Sequence, residues 1–218
     1  MKYGGLPWGM WVLYRRSFRK HLVSDLGLSS SEAKRVMVAA KPNYKKIIAK
    51  LPEFEKSDQF DVNIVNCALL IAFLQAMSTR PDIESLTEFY TNAMMNPPTR
   101  WFFRMMGKQK FTDKDIQEAK DTSALKAADR NPYSWNMDYL PYEDGSGYED
   151  RFYACGICTL MKEYGFYDLT PVMCHLDFVM GEASGTYQFV RKYTLVSGGP
   201  YCDCGYKKIN KAEERKRH

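Results

Sequence analysis

Histidine is scarce in this chain: there are three in 218 residues, and His21 and His218 stand far from the other reactive side chains. Imidazole catalysis would have to rest on His175 alone. Long apolar runs are also missing. The longest, Cys67 to Leu74, stops at Gln75, short of the roughly 20 residues that a bilayer demands, and reads as a buried helix. A short apolar stretch precedes Arg15, Arg16, Arg19 and Lys20, the reverse of signal-peptide order, so an exported or membrane-spanning protein is not expected. No glycine loop joins a strand to a helix in the manner of a phosphate cradle. Gly145-Ser146-Gly147 and Gly198-Gly199 occupy hairpin-like contexts instead. Internal repeats and low-complexity tracts are absent.

What is present suits a folded protein: 45% of residues are apolar and 26% charged, enough for a real core. The formal net charge is +5. Lys207, Lys208, Lys211, Arg215, Lys216, Arg217 and His218 crowd the C-terminal end, leaving the remainder close to neutral, so the basicity reads as a solvated tail. Neither nucleic acid nor membrane is expected as a partner; a small molecule is. Oligomeric state is not legible.

Helical patterning runs to about residue 128: Pro7 to Leu22; Ala33 to Leu51, with Ser29 as N-cap and Pro42 as a break or kink; Val62 to Met77; Asp82 to Met95; and Asp113 to Ala128. Asn96-Pro97-Pro98 reads as a stop between the last two. Beyond Asn131-Pro132, Tyr133–Tyr139 and Tyr148–Ala154 flank a turn-rich loop. Ile157–Tyr164 and Thr170–Glu182 are again helical, and Thr186–Val196 and Tyr201–Lys208 flank Ser197-Gly198-Gly199-Pro200 as a hairpin. Helices followed by mainly antiparallel strands make an α+β fold: a helical N-terminal half packed on a C-terminal sheet with two inserted helices. One fused domain is expected, helical over 1–128, sheet-bearing over 129–208, with a basic tail over 209–218.

Five of the six cysteines lie in the last third: Cys155, Cys158, Cys174, Cys202 and Cys204. Without an export signal, clustered thiols point to metal, catalysis or packing before disulfides. Cys155 sits where a strand gives way to a helix, and helix-start N–H groups favour a thiolate there; the alternative is an inert strand-end thiol. On a helix over 170–182, Cys174 and Asp177 share a face, whereas His175 and Asp177 lie about 200° apart and cannot form a catalytic pair. Cys174 reads equally well as a small core residue. Asp177 is surrounded by Met173, Leu176, Phe178 and Met180, so its carboxylate needs a partner or a task. In the hairpin, pairing Leu195 with Pro200 sets Tyr193 opposite Cys202 and Arg191 opposite Cys204. Asp203 then falls on the other face unless a bulge intervenes. Arg191, between Phe189 and Tyr193, suits a carboxylate clamp or a structural ion pair. For zinc, Cys202-x-Cys204 is one residue too short to complete the usual paired C-x₂-C set, and no cofactor is expected.

The order Cys155, Cys174-His-Leu-Asp177, Arg191-x-x-Thr194, Gly198, Cys202-Asp203 resembles the L-2-amino-thiazoline-4-carboxylic acid hydrolase family, whose pattern is a Cys, a Cys-x-x-Asp helix, an Arg/Thr strand and a Gly followed by Cys-Asp-Phe. The motif-bearing stretch spans about Phe152 to Tyr206. Cys204 departs from the pattern, since members more often carry an aromatic there. The resemblance implies a bacterial cytoplasmic hydrolase that opens a cyclic amidine ring to a carbamoyl-cysteine. It casts Cys155 or Cys174 as nucleophile or water activator and Asp177 as acid/base. Arg191 grips a substrate carboxylate with help from Thr194 and Cys202, and Asp203 orients the amidine. A non-catalytic small-ligand module and a zinc–thiolate protein are the alternatives.

Overall fold

A computed structural model describes residues 2–55 and 58–209, so the expected basic tail lies outside the described residues except for Ile209. In chain order the elements are α1 (Leu6–Ser24), α2 (Ser30–Lys50), α3 (Asp61–Ala76), α4 (Ile83–Met94), α5 (Pro97–Gly107), α6 (Asp113–Lys126), β1 (Met137–Pro141), β2 (Gly147–Phe152), α7 (Gly156–Glu163), α8 (Thr170–Ser184), β3 (Tyr187–Val190) and β4 (Cys202–Lys208). This is an α+β chain with a helical N-terminal half and two helices inserted between the strands of a C-terminal antiparallel sheet. It divides into two compact units that interleave along the sequence. One contains residues 2–96, 132–134 and 156–175; the other contains 97–131, 135–155 and 176–209. The change from helix to strand near residue 128 is therefore a change of secondary structure, and the unit boundary falls earlier, at Pro97.

The first unit is built around α3. Its residues from Cys67 to Leu74 are all buried, as expected of a helix apolar on every side, and α1, α2 and α7 pack against it. Phe18 of α1, 0% exposed, meets Phe73 with ring centroids 4.5 Å apart and Phe89 of α4 edge-on at 5.4 Å. Trp11 stacks on Tyr44 and Phe73. At the start of α2, Ser29 accepts from the Glu32 N–H while the Glu32 carboxylate accepts from the Ser29 N–H, a full capping box. Pro42 does not break α2, which runs unbroken from Ser30 to Lys50. Proline removes one donor, the partner of the Val38 carbonyl, but both residues lie on the exposed face of the helix, where solvent is at hand. Packing of Val36, Ala40, Tyr44 and Ile47 on the opposite face keeps the helix continuous.

In the second unit, α5 and α6 precede a four-stranded antiparallel sheet of order β1-β2-β4-β3. The expected stop holds, since α4 ends at Met94, and an additional helix, α5, starts at once from the same prolines. Pro97 and Pro98 occupy its first turn, where the missing N–H groups would have had no helical partner in any case. In β3 and β4 the expected register holds from Tyr187↔Lys208 to Val190↔Gly205, but the ladder ends there. Tyr193 does not pair with Cys202. Residues 191–201 instead leave the sheet around a 3-10 turn, Leu195–Ser197, closed by Gly198 in the left-handed region (φ 81°).

Replacing Phe18 by Ala empties a fully enclosed aromatic site in the first unit and is expected to lower stability by about 3–5 kcal/mol. Chemical denaturation followed by circular dichroism measures it.

Candidate active site

Side chains alternate across a strand, so one face of this sheet carries Cys202, Cys204 and Tyr206 of β4 with their cross-strand partners Phe152, Asp150 and Tyr148 of β2. Phe189 and Tyr187 continue this face on β3, and extending the register by one residue sets Arg191 opposite Cys204. Rings pack densely here: Tyr148, Tyr187 and Phe189 all meet Tyr206 at centroid distances of 5.3–5.7 Å. Two groups of polar side chains lie within this aromatic surface.

The first group was largely legible from sequence. Asp177 of α8 and Arg191 form an ion pair, with Nη1 donating to Oδ2 at 2.7 Å. The guanidinium lies 5.0 Å from the Phe178 ring centre and 5.3 Å from that of Phe189, and its side chain is only 8% exposed. Burial raises the Asp177 carboxyl to about 6, with Arg191 pulling the other way. The Asp177 side chain still keeps 34% of its surface open, so it can exchange protons with what lies outside. Beside the pair, Cys202 accepts a hydrogen bond from the Leu195 N–H at 3.2 Å. Burial nevertheless raises its thiol pKa, and a neighbouring charge on Cys155 would raise it further, which places Cys155 in the same group. Cys204, buried against Arg191, is raised well above the ordinary thiol range by burial and is held as an inert thiol.

Asp203 and Thr194 take different places. The Asp203 carboxylate lies on the opposite face of β4, where it accepts from the Lys192 N–H (3.0 Å) and the Tyr193 N–H (2.5 Å). These bonds replace the ladder and supply the local irregularity that lets 191–201 depart from the sheet. Thr194 caps the 3-10 turn, accepting from the Ser197 N–H at 3.2 Å. Cys174 belongs to the first unit, as do Cys158 and the fully buried Cys67 of α3. None of the six cysteines forms a disulfide.

The second polar group was not anticipated. Lys110 donates to the Tyr148 hydroxyl, which donates to Asp115 Oδ2 at 2.9 Å, and Lys110 Nζ lies 3.5 Å from Asp115 Oδ1 and 3.8 Å from the centre of the Tyr206 ring. Asp115 also accepts from the N–H of Phe111, whose φ of 65° is a strained left-handed conformation for an aromatic residue. Asp150 faces this group, directly across from Cys204 in the register. Its Oδ1 is buried without a hydrogen-bond partner. Burial raises the carboxyl to about 7, with Lys110 opposing and Asp115 and Glu149 reinforcing the shift. The sequence signal for Asp150 was its inward position on an aromatic strand, Tyr148 to Phe152, where a carboxylate breaks the pattern. Among the described residues, no group of three or more His, Cys, Asp or Glu is arranged to hold a metal ion.

The sequence profile of the L-2-amino-thiazoline-4-carboxylic acid hydrolases matches residues 62–206, two thirds of the chain and all of this sheet face. The chain belongs to that family. No curated protein and no solved structure matches it significantly. The family match spans both polar groups of the sheet face, and it begins within α3 of the first unit. No described helix is long and apolar enough to cross a membrane.

The Asp150 carboxyl favours the folded state most when protonated, so its contribution is complete below pH 4 and fades as pH rises through about 7. Asp150→Asn cannot ionise. The variant is expected to match wild type near pH 4 and to melt about 5 °C higher at pH 8, read from thermal denaturation across that range.

Proposed function

We propose that this protein hydrolyses a 2-aminothiazoline-carboxylate-like cyclic amidine to a carbamoyl-cysteine-type product. The family name supports the reaction class. The observation that carries the reading is the Asp177 carboxyl, poised near 6 by burial and Arg191, beside the thiols of Cys155 and Cys202. A group that changes protonation just below neutral pH serves as an acid/base without a large energetic penalty in either state.

In the proposed reaction the nucleophile adds to the ring carbon between sulfur and nitrogen, and the ring carbon–nitrogen bond breaks. Water then adds to the same carbon and expels the nucleophilic thiolate; its oxygen becomes the carbonyl oxygen and its two protons end on the released nitrogen, leaving the carbamoyl group on the substrate sulfur. Atoms balance with water as sole co-reactant, so no cofactor is required. Cys155 supplies the sulfur nucleophile, with Cys174, one turn from Asp177 on α8, as the second candidate; Cys202 and Cys204 are both held as thiols by burial. Asp177 carries protons between water and the ring nitrogen. Arg191 orients Asp177 and stabilises its ionised form, and provides the cationic end of the site toward which a substrate carboxylate is drawn. A bacterial, cytoplasmic setting follows the same resemblance.

A screen of cyclic amidines and thiazolines, with product followed by mass spectrometry, tests the reading. Wild-type turnover is expected to rise with pH through about 6 as Asp177 ionises. Asp177→Asn should lower it by at least about 100-fold with helical circular dichroism retained, and should abolish that pH limb. Cys155→Ala should eliminate both turnover and the fastest-reacting thiol in labelling. Full turnover in either variant removes that residue from the mechanism, and no turnover of any such ring by wild type removes the reaction.

A further inference from the structure

The two N-terminal helices hold a charge distribution that the hydrolase reading does not use. α1 contains Arg15, Arg16, Arg19 and Lys20 and no acidic residue. α2 contains Lys34, Arg35, Lys41, Lys45, Lys46 and Lys50 against Glu32 alone. Between these helices, within the first unit, lies a cleft of about 530 Å³ lined by Trp11, Arg15, Arg16, Arg19, Lys34, Met37, Val38, Lys41 and Pro42. The lining follows helical spacing: Trp11, Arg15 and Arg19 are successive turns of α1, and Lys34, Val38 and Lys41 are successive turns of α2. Five cationic side chains therefore face one concavity that no acidic residue lines. Among the described residues none of the five has an ion-pair or hydrogen-bond partner. The floor is apolar. Trp11 is 7% exposed and fixed by its stacks on Tyr44 and Phe73, while Met37, Val38 and Pro42 complete the wall.

We propose that this cleft is a binding site for a multiply charged, phosphate-bearing anion with an apolar portion. A single carboxylate neutralises one of five cations, whereas a di- or triphosphate, or a phosphate ester, answers several at once. Three of the five are arginines, whose planar fork matches phosphate oxygens two at a time. The volume suits a small molecule, and the rigid Trp11 floor receives an apolar group of the same ligand. The cleft lies in the first unit and shares no residue with the Asp177–Arg191 pair of the other, so the proposal stands whether or not the hydrolase reading does. Such a phosphate comes either from a soluble phosphorylated metabolite or from the headgroup of an anionic phospholipid.

Two probes separate these sources on the full-length protein. Titration calorimetry with inorganic tripolyphosphate reports the soluble form. Cosedimentation with phosphatidylcholine vesicles, with and without phosphatidylglycerol, reports the headgroup. The R15Q/R19Q/K41Q variant removes three cleft cations from exposed positions. K45Q/K46Q/K50Q removes the same charge from the part of α2 outside the cleft. Binding of tripolyphosphate, or of the phosphatidylglycerol vesicles alone, should weaken about 10-fold or more in the first variant and less than about twofold in the second, and should fall with salt. Equal losses in both variants would reduce the effect to net charge and overturn the site, as would failure of wild type to bind either probe.

Discussion

The candidate active site depends on one contact, the ion pair of Asp177 with Arg191. An arginine side chain that keeps only 8% of its surface must have its charge answered, or desolvation exceeds anything packing returns. Asp177 answers it from α8, and Phe178 and Phe189 enclose it with ring faces. The pair also ties the end of β3 to α8, from which the chain departs into the 191–201 loop. Because burial raises the carboxyl while Arg191 lowers it, neither influence wins outright, and the group settles near 6. With full burial and no arginine, the carboxyl would stay protonated. With full exposure it would be a plain carboxylate at neutral pH. The intermediate value comes from structure.

The same sheet face repeats this arrangement a short distance away with different partners. Lys110 is pushed below the ordinary lysine range by burial and drawn back by Asp115 and Asp150, and Asp150 is pushed up to about 7. Cys204 sits between the two polar groups, across from Asp150 in the β2–β4 register and, on extending the β3–β4 register by one residue, opposite Arg191. Its small, neutral side chain separates two charged groups that would otherwise share one field. This gives a physical reason for the departure at position 204. An aromatic ring there would have to fit against a guanidinium already flanked by Phe178 and Phe189, and a thiol occupies the slot with far less volume.

Much of this was readable from residues alone, and the exceptions share a cause. The all-apolar run of α3, the Ser29 cap, the two helices inserted in the sheet and the β3–β4 register follow from local pattern, and the structure contains each. Asp177 announced itself as a carboxylate among apolar neighbours. What pattern could not supply was competition for backbone donors. The end of β3 is decided by the Asp203 side chain taking the Lys192 and Tyr193 N–H groups, a contact invisible to strand alternation. Likewise Asn96-Pro97-Pro98 spells a stop and serves as a helix start, because proline chemistry is the same at both places. The Lys110–Asp115–Asp150 group was missed because its members come from three separate segments, none carrying a motif.

Charge was the subtlest case. The basic C-terminal residues account for most of the chain's net charge, so the remainder reads as near neutral, yet neutrality in sum hides segregation in space. α1 and α2 concentrate cations that acidic residues elsewhere cancel only in the count. Exposed like charges one helical turn apart cost only about 0.2–0.5 kcal/mol per pair and are screened over roughly 10 Å of salt solution. The buried faces of the same helices, with Phe18, Leu22, Val36, Tyr44 and Ile47, supply far more than that. The fold can therefore hold an unpaired cationic cleft at small cost, and the favourable energy such a cleft leaves unused becomes available to whatever anion enters it.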